Sequence, residues 1–253
     1  MQSVHPWPYA RVSAHRGAGT MAPENTLEGF RAGLHHGFHA FETDAMLAKD
    51  GIPVLMHDER FGRTIRDTRS VPELTSLEIR SLDAGSWFAP QYTGVPPAGF
   101  EQAVRWFNIE IKPAKGAELE TGRVVGRLTG ELYADLVREG GATQAGVVPD
   151  APLFSSFKPD ALRGAMETAP NIPRGFLVDE LPENWREVLE EMKCVALHCN
   201  QRRLTPEFAR EVKALGYWLF CYTVNDPRRA RELFSWGVDG LCTDRLDLVR
   251  PSL

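Results

Sequence analysis

The stretch Phe41–Asp58 reads FETDAMLAKDGIPVLMHD, and it opens on a strand-like run that carries Glu42 and Asp44 two residues apart. Residues i and i+2 of an extended strand point to one face, so the two carboxylates converge. Like charges that close repel, and burying them is costly unless a cation lies between them. An all-oxygen donor set suits a hard divalent ion such as Mg²⁺ or Ca²⁺. The plain alternative is an exposed strand whose acids face water. Asp50-Gly51 then turns the chain, and a second apolar run, Ile52–Met56, delivers His57 and Asp58.

Upstream, Arg11–Ala14 reads as a short strand ending in His15-Arg16-Gly17. A Gly- and Pro-bearing loop follows, then a helix from about Asn25 with Leu27, Phe30, Leu34 and Phe38 at helical spacing. Downstream, residues 59–97 lose the regular alternation of apolar runs and carry Trp87, Phe88 and Tyr92, with one short helix near Thr75–Leu82. This segment is too short for a core of its own and reads as an insertion. Phe107–Ile111 (FNIEI) is a strand followed by Lys112-Pro113, and a helix is expected from about Glu118 to Glu139.

The second half repeats one unit. Strands Leu153–Phe157, Arg174–Val178, Val195–His198, Tyr217–Val224 and Gly240–Thr243 alternate with helices at Pro159–Glu167, Glu183–Lys193, Pro206–Leu215 and Pro227–Trp236. Three of those helices open on proline, where the missing N–H does no harm, and Gly216 and Gly237 close two of them. Strands alternating with helices of about ten residues imply parallel βαβ units. Demoting one strand of the 41–58 region leaves eight, which fits a (β/α)₈ TIM barrel with a small insertion after the second strand region. The expected organisation is one domain, 1–253, with 59–97 as the insertion. A doubly wound open sheet is the competing fold, but no Gly-rich dinucleotide fingerprint follows any strand.

A chain of 253 residues, 43% hydrophobic and 25% charged, has the composition of a globular domain with a full core. Its net charge of −5, without a long basic block, points away from a nucleic-acid partner. No apolar run approaches the roughly 20 residues needed to span a bilayer. MQSVHPWPYARV lacks the basic and apolar regions of a signal peptide. Cys194, Cys199, Cys221 and Cys242 fit no structural zinc spacing and read as buried free thiols in a reducing, cytoplasmic compartment. Nothing in the sequence sets an oligomeric state.

Active sites of such barrels lie at the C-terminal ends of the strands. The strand ends offer His15 and Arg16, Glu42 and Asp44, His57 and Asp58, Glu110 and Lys112, Ser155 and Ser156, His198, Tyr222, and Thr243 with Asp244. Glu110 and Lys112 are again two apart and share a face. One rim thus gathers carboxylates for a divalent metal, two imidazoles and two fixed cations. That set suits phosphate-ester hydrolysis, with metal and cations on the phosphoryl oxygens and histidines for acid–base work. Each residue also has a plainer role open to it. A strand-end histidine is often structural, Lys112 can be a salt-bridge partner of Glu110, Asp58 can cap a turn, and His198 can be lining. His35, His36 and His39 lie away from the strand ends and read as surface.

HRG followed by PENT, then FETD, DGIPVLMHD and NIEIKP, in this order, resembles the glycerophosphodiester phosphodiesterases. The VNDP and GVDGLCTD segments extend the resemblance over nearly the whole chain. It implies a metal-dependent TIM-barrel enzyme that cleaves small-molecule glycerophosphodiesters into glycerol 3-phosphate and an alcohol. It implies Glu42, Asp44 and Glu110 as ligands of one Mg²⁺ or Ca²⁺, His15 and His57 as the general acid–base pair, and Arg16 and Lys112 as phosphate holders. Tyr222 stands where many relatives carry Trp and is expected to wall the substrate. A lysophospholipase D acting on lipid-tailed substrates, with Trp87, Phe88 and Tyr92 at an apolar entrance, is the nearest rival; a non-catalytic phosphodiester-binding barrel is a further one. VPPAGFEQAVRW is several residues shorter than the family's crossover before NIEIK, so a stubby helix is expected there.

Overall fold

Strand β2 (Phe41–Leu47) is the hinge of the architecture, because it holds three neighbours at once. Along one edge it runs parallel to β4 (Phe107–Ile111), with Glu42 opposite Asn108 and Asp44 opposite Glu110. On its other edge the lower half pairs in parallel with β1 (Val12–His15), His15 opposite Glu42. Its upper half pairs antiparallel with β3 (Pro53–Leu55). β3 is therefore the return arm of a hairpin, and it is the strand of the 41–58 region that stands outside the barrel. The computed structural model describes residues 6–103, 107–134 and 152–253.

The parallel series continues through β5 (Leu153–Ser156), β6 (Arg174–Val178), β7 (Ala196–Asn200), β8 (Trp218–Tyr222) and β9 (Gly240–Thr243). β9 pairs in parallel with β1 through Val12–Leu241, Ser13–Cys242 and Ala14–Thr243, which closes eight parallel strands into a (β/α)₈ barrel. Between them run α1 (Leu27–His35), α2 (Ser76–Ile79), α3 (Phe100–Ala103), α4 (Glu118–Leu132), α5 (Pro159–Thr168), α6 (Trp185–Glu191), α7 (Pro206–Ala214) and α8 (Pro227–Ser235). Residues 135–139, the expected end of the helix after β4, lie outside the described residues. In the crossover before β4 the described residues form one helical turn, α3; residues 104–106 lie outside the described residues as well.

Strand residues alternate between two environments. Phe41 points outward and meets Phe30 of α1 edge to face at 5.3 Å, while Glu42 and Asp44 point into the barrel. Below them the barrel interior is packed with Ala40, Leu153, Ala196, Trp218 and Phe220. Trp7 and Tyr9 of the leading segment pack beneath, with Trp7 5.4 Å from Trp218 edge to face. The floor is solid, so the cavity opens at the carboxyl ends of the strands, as the fold requires.

Residues 59–97 pack on the β2–β3 hairpin. Ile65, Val71, Leu74, Ile79 and Ala84 share an apolar cluster with Met46, Val54 and Met56, so the segment borrows its core from the hairpin. Trp87, Phe88 and Tyr92 contact one another edge to face at 5.6 Å, and none of them lines the cavity described below. All four cysteines are free and buried. Among the described residues, no helix is long and apolar enough to cross a membrane.

Candidate active site

At the mouth of the barrel β2 and β4 bring Glu42, Asp44 and Glu110 together, with one oxygen from each lying within 4.8 Å of the others. Each side chain is where strand alternation puts it: two on β2, and a third from β4 in register with Asp44. Asp44 is 1% exposed and Glu42 5%, so water screens neither. Two cations stand beside them. Arg16 Nε lies 3.4 Å from Asp44 Oδ2, and Lys112 Nζ lies 3.4 Å from Glu110 Oε1 and 3.8 Å from Asp44 Oδ1. Three carboxylates against two cations leave an excess of negative charge in a dry pocket.

The titration of the cluster follows from that imbalance. Burial, with Asp44 and Glu110 alongside, pushes the Glu42 carboxyl well above its usual range. Burial and the Asp44 charge push Glu110 up to about 7, against the pull of Lys112. Asp44 is buried too, but Arg16, Lys112, His57 and a hydrogen bond from Asn25 outweigh burial and hold it down at about 2. Asn25 donates from Nδ2 to Asp44 Oδ2 at 2.9 Å and accepts from Thr43 Oγ1 at 2.8 Å, which fixes the Asp44 rotamer. The other oxygen, Asp44 Oδ1, is buried without a hydrogen-bond partner. A buried acceptor left free among three converging carboxylates fits a hard divalent cation.

His15 closes β1 and points over the same cavity. Its Nδ1 is 2.6 Å from Asp244 Oδ1, and its Nε2 is 3.7 Å from Glu42 Oε2. Asp244 is held by Asn225, which donates from Nδ2 to Oδ2 at 3.1 Å and accepts the Asp244 N–H at 2.8 Å. The loop after His15 lies directly on Asp244: a Cβ at Gly19, whose φ is +53°, would come 2.2 Å from the Asp244 Cα. Arg16 itself is left-handed, φ 51°, a conformation costing about 1–3 kcal/mol. The turn aims its N–H at Glu42 Oε2, 3.3 Å away.

His57 follows β3 and pairs through Nδ1 with Asp58 Oδ1 at 2.6 Å. Burial lowers the His57 pKa, as do the Arg16 and Lys112 charges, against the opposing pull of Asp44 and Asp58. Asp58 in turn accepts from Arg63 Nε at 2.6 Å, and Arg63 forks onto both oxygens of Glu24 at 2.7 Å. Glu24 also accepts from Arg16 Nη1 at 3.1 Å. One chain of charges thus runs from His57 through the insertion back to Arg16. Both imidazoles have Nδ1 engaged by an aspartate, so a neutral ring keeps its proton there and presents Nε2 as the free basic atom.

The cavity between them has room for about 150 Å³ and is lined also by Asn108, Leu177, His198, Phe220, Thr223 and Cys242. Tyr222 forms part of its wall; its hydroxyl donates to the Val178 carbonyl at 2.9 Å, and its ring meets Phe157 edge to face at 5.9 Å. All eight expected site residues meet around this one mouth. Of the histidines expected at the surface, His35 and His39 are exposed and His36 half-buried, on and after the end of α1. Asn25, Glu24 and Arg63 carried no role in the sequence reading, and Asp244 was noted only as a strand-end residue. The pattern PENT holds two of them; Arg63 has no local signal.

The Glycerophosphoryl diester phosphodiesterase family matches residues 15–248, and the chain belongs to that family. A glycerophosphodiester phosphodiesterase of Caldanaerobacter subterraneus subsp. tengcongensis is 30% identical over 241 residues, covering 92% of this chain and 93% of that protein. One from Bacillus subtilis is 29% identical over 254 residues, covering 93% and 83%. Among solved structures, an Oleispira antarctica phosphodiesterase in complex with the product sn-glycerol-3-phosphate superposes with a TM-score of 0.81 at 32% identity, covering 95% of each chain. The glycerophosphodiester phosphodiesterase of Thermotoga maritima gives a TM-score of 0.69 at 25% identity, covering 94% and 96%.

Proposed function

We propose that this protein hydrolyses glycerophosphodiesters to sn-glycerol 3-phosphate and an alcohol, with Glu42, Asp44 and Glu110 holding one Mg²⁺ or Ca²⁺. The observation that carries the reading is two aspartate-anchored imidazoles facing one cavity beside a buried three-carboxylate cluster. A divalent cation held there supplies a Lewis acid for the phosphoryl oxygens and for the attacking hydroxyl. Arg16 and Lys112 orient the phosphate. One imidazole takes the proton of the glycerol 2-hydroxyl at Nε2 while the other protonates the leaving alcohol. The resulting cyclic 1,2-phosphate is opened by water with the roles reversed. His57, whose pKa burial lowers, suits the first role, which leaves the second to His15. The Tyr222 ring walls the substrate. In this reading residues 1–253 act as one domain with 59–97 as an insertion, and a cytoplasmic compartment suits the four buried thiols.

The test is glycerol 3-phosphate release from glycerophosphocholine and glycerophosphoethanolamine. EDTA is expected to abolish it, and Mg²⁺ or Ca²⁺ to restore it. His15→Ala and His57→Ala are each expected to lose roughly 10²–10⁴-fold in kcat. Near wild-type turnover in both variants contradicts the acid–base assignment. A second reading, cleavage of lipid-tailed lysophosphodiesters, is favoured by Phe157, which is 38% exposed beside Tyr222 at the mouth. Lysophosphatidylcholine turned over faster than glycerophosphocholine would select it.

A further inference from the structure

Residues 62–65 of the insertion form a tight turn, in which the Gly62 N–H donates to the Ile65 carbonyl at 2.8 Å and Gly62 has φ +128°. The turn is anchored. Ile65, 2% exposed, sits in the apolar cluster with Met46, Val54 and Met56, and Arg60 and Ser70 pair across an antiparallel bridge. From this turn Arg63 places all three guanidinium nitrogens on carboxylates. Nε donates to Asp58 Oδ2 at 2.6 Å, and Nη1 and Nη2 donate to Glu24 Oε2 and Oε1, each at 2.7 Å.

Both carboxylates also hold a residue of the site. Asp58 engages His57 Nδ1 through its other oxygen at 2.6 Å, and Glu24 Oε1 accepts from Arg16 Nη1 at 3.1 Å. The Arg63 side chain is 45% exposed, and ion pairs that water reaches add little to stability. What the fork supplies is geometry, because two parallel bonds fix the plane of Glu24 and a third fixes that of Asp58. A carboxylate held at one oxygen turns about its last torsion; held at both, it offers each oxygen in one direction only. His57 follows β3 and Arg16 follows β1, so Arg63 bridges the carboxylate partners of two separate loops.

We infer that Arg63 is a positioning residue: from the insertion it locks Asp58 behind His57 and Glu24 behind Arg16, so that the imidazole and the phosphate-holding guanidinium keep one mutual geometry. The inference rests on the hydrolysis proposed above, which gives His57 and Arg16 those tasks. The insertion is then part of the scaffold of the active site, docked on the hairpin by apolar side chains and tied to the chemistry by one cation.

The test is the kinetics of Arg63→Ala and Arg63→Lys on glycerophosphocholine. Arg63→Ala is expected to lower kcat/KM by roughly 10²-fold, the loss that a displacement of about 1 Å causes. Its melting temperature is expected to change little. Millimolar guanidinium enters the part-exposed space that the side chain leaves and is expected to restore much of the loss, whereas urea, its neutral isostere, restores none. A merely structural role is indifferent to which of the two is added. Arg63→Lys, which keeps the charge without the fork, is expected to fall between Arg63→Ala and wild type, and it carries the test if Arg63→Ala does not fold. Arg63→Ala and Asp58→Asn are expected to be non-additive, since both act on one imidazole. Near wild-type turnover in either Arg63 variant, or a loss that guanidinium leaves untouched, overturns the inference. Failure of the wild type to turn over glycerophosphocholine refutes the proposed activity instead. Calorimetric titration with glycerol 3-phosphate, with Mg²⁺ or Ca²⁺ present, then reads the Glu24–Arg16 arm alone. Affinity weakened in Arg63→Ala and recovered with guanidinium sustains the inference; equal affinity in wild type and variant, or none in either, overturns it.

Discussion

His15 and His57 are built alike from unlike materials. Each presents Nε2 to the cavity because an aspartate holds Nδ1 at 2.6 Å. For His57 that partner is the next residue, so the pair was visible in the sequence. For His15 it is Asp244, 229 positions away, and only the closure of β9 onto β1 makes them neighbours. Asp244→Asn removes the negative charge beside His15 and allows the tautomer to flip. It is expected to lower kcat by roughly 10²-fold or more while leaving the fold intact, by analogy with orienting carboxylates elsewhere. Asp244→Glu discriminates: a positioning role is restored in part by the longer carboxylate, whereas a merely structural role is not. A loss below about threefold would show that His15 needs no carboxylate partner.

At the scale of elements, alternation within β2 and β4 carried the carboxylate set, since i and i+2 on a strand must share a face. The helices were legible from proline starts and apolar spacing, but their closeness was not. Between α4 and α5 the backbones nearly touch: a Cβ at Gly122 would sit 2.0 Å from the Ala161 carbonyl oxygen, and one at Gly164 2.2 Å from that of Leu119. Alanine gains about 1 kcal/mol over glycine in a free helix, yet here it overpacks the interface at about 1–3 kcal/mol. Gly122→Ala is therefore expected to lower the melting temperature. Gly130→Ala, on the same helix with its nearest neighbour atom at 3.9 Å, is expected to raise it by about 0.5–1 kcal/mol in stability. Calorimetry on both variants checks the contrast; two shifts of the same sign would refute it. Arg63 belongs at this scale as well. An insertion that packs on the β2–β3 hairpin through apolar side chains also delivers the guanidinium that joins Asp58 to Glu24.

For the whole molecule the charge imbalance of the site sets a pH dependence. Glu42 and Glu110 have folded pKa values raised above their unfolded ones. Such acids contribute stability that is fully present below the unfolded value and is lost as pH rises through the folded one. For Glu110 that window runs from the ordinary 4.5 up to about 7. Asp44, held at about 2, contributes in the opposite sense and only at acid pH, where its stabilisation is lost as pH falls. Glu42 and Glu110 therefore make the metal-free protein less stable at pH 8 than at pH 5.5, against the opposing sense of the buried imidazoles His57 and His198, whose pKa values are lowered. A divalent cation replaces those protons, so Mg²⁺ or Ca²⁺ should raise the melting temperature more at pH 8 than at pH 5.5. Thermal unfolding in EDTA and in millimolar metal at the two pH values measures this. Equal metal shifts at both would mean that the carboxylates are not the ligands.

The sequence alone determined the barrel, the mouth at which chemistry gathers, and the eight residues around it. Strand alternation and the βαβ rhythm are local properties, and local properties survive in one dimension. It also left a ninth strand to be removed without saying which; antiparallel pairing of β3 with β2 decided that. Tertiary structure decided the partners: Asp244 on His15, Asn25 on Asp44, the Arg63 link, and the burial of His198 in the cavity wall. Those depend on which strands become neighbours and on how deep each side chain lies, and both are set by closure of the barrel, which no local stretch of the chain encodes.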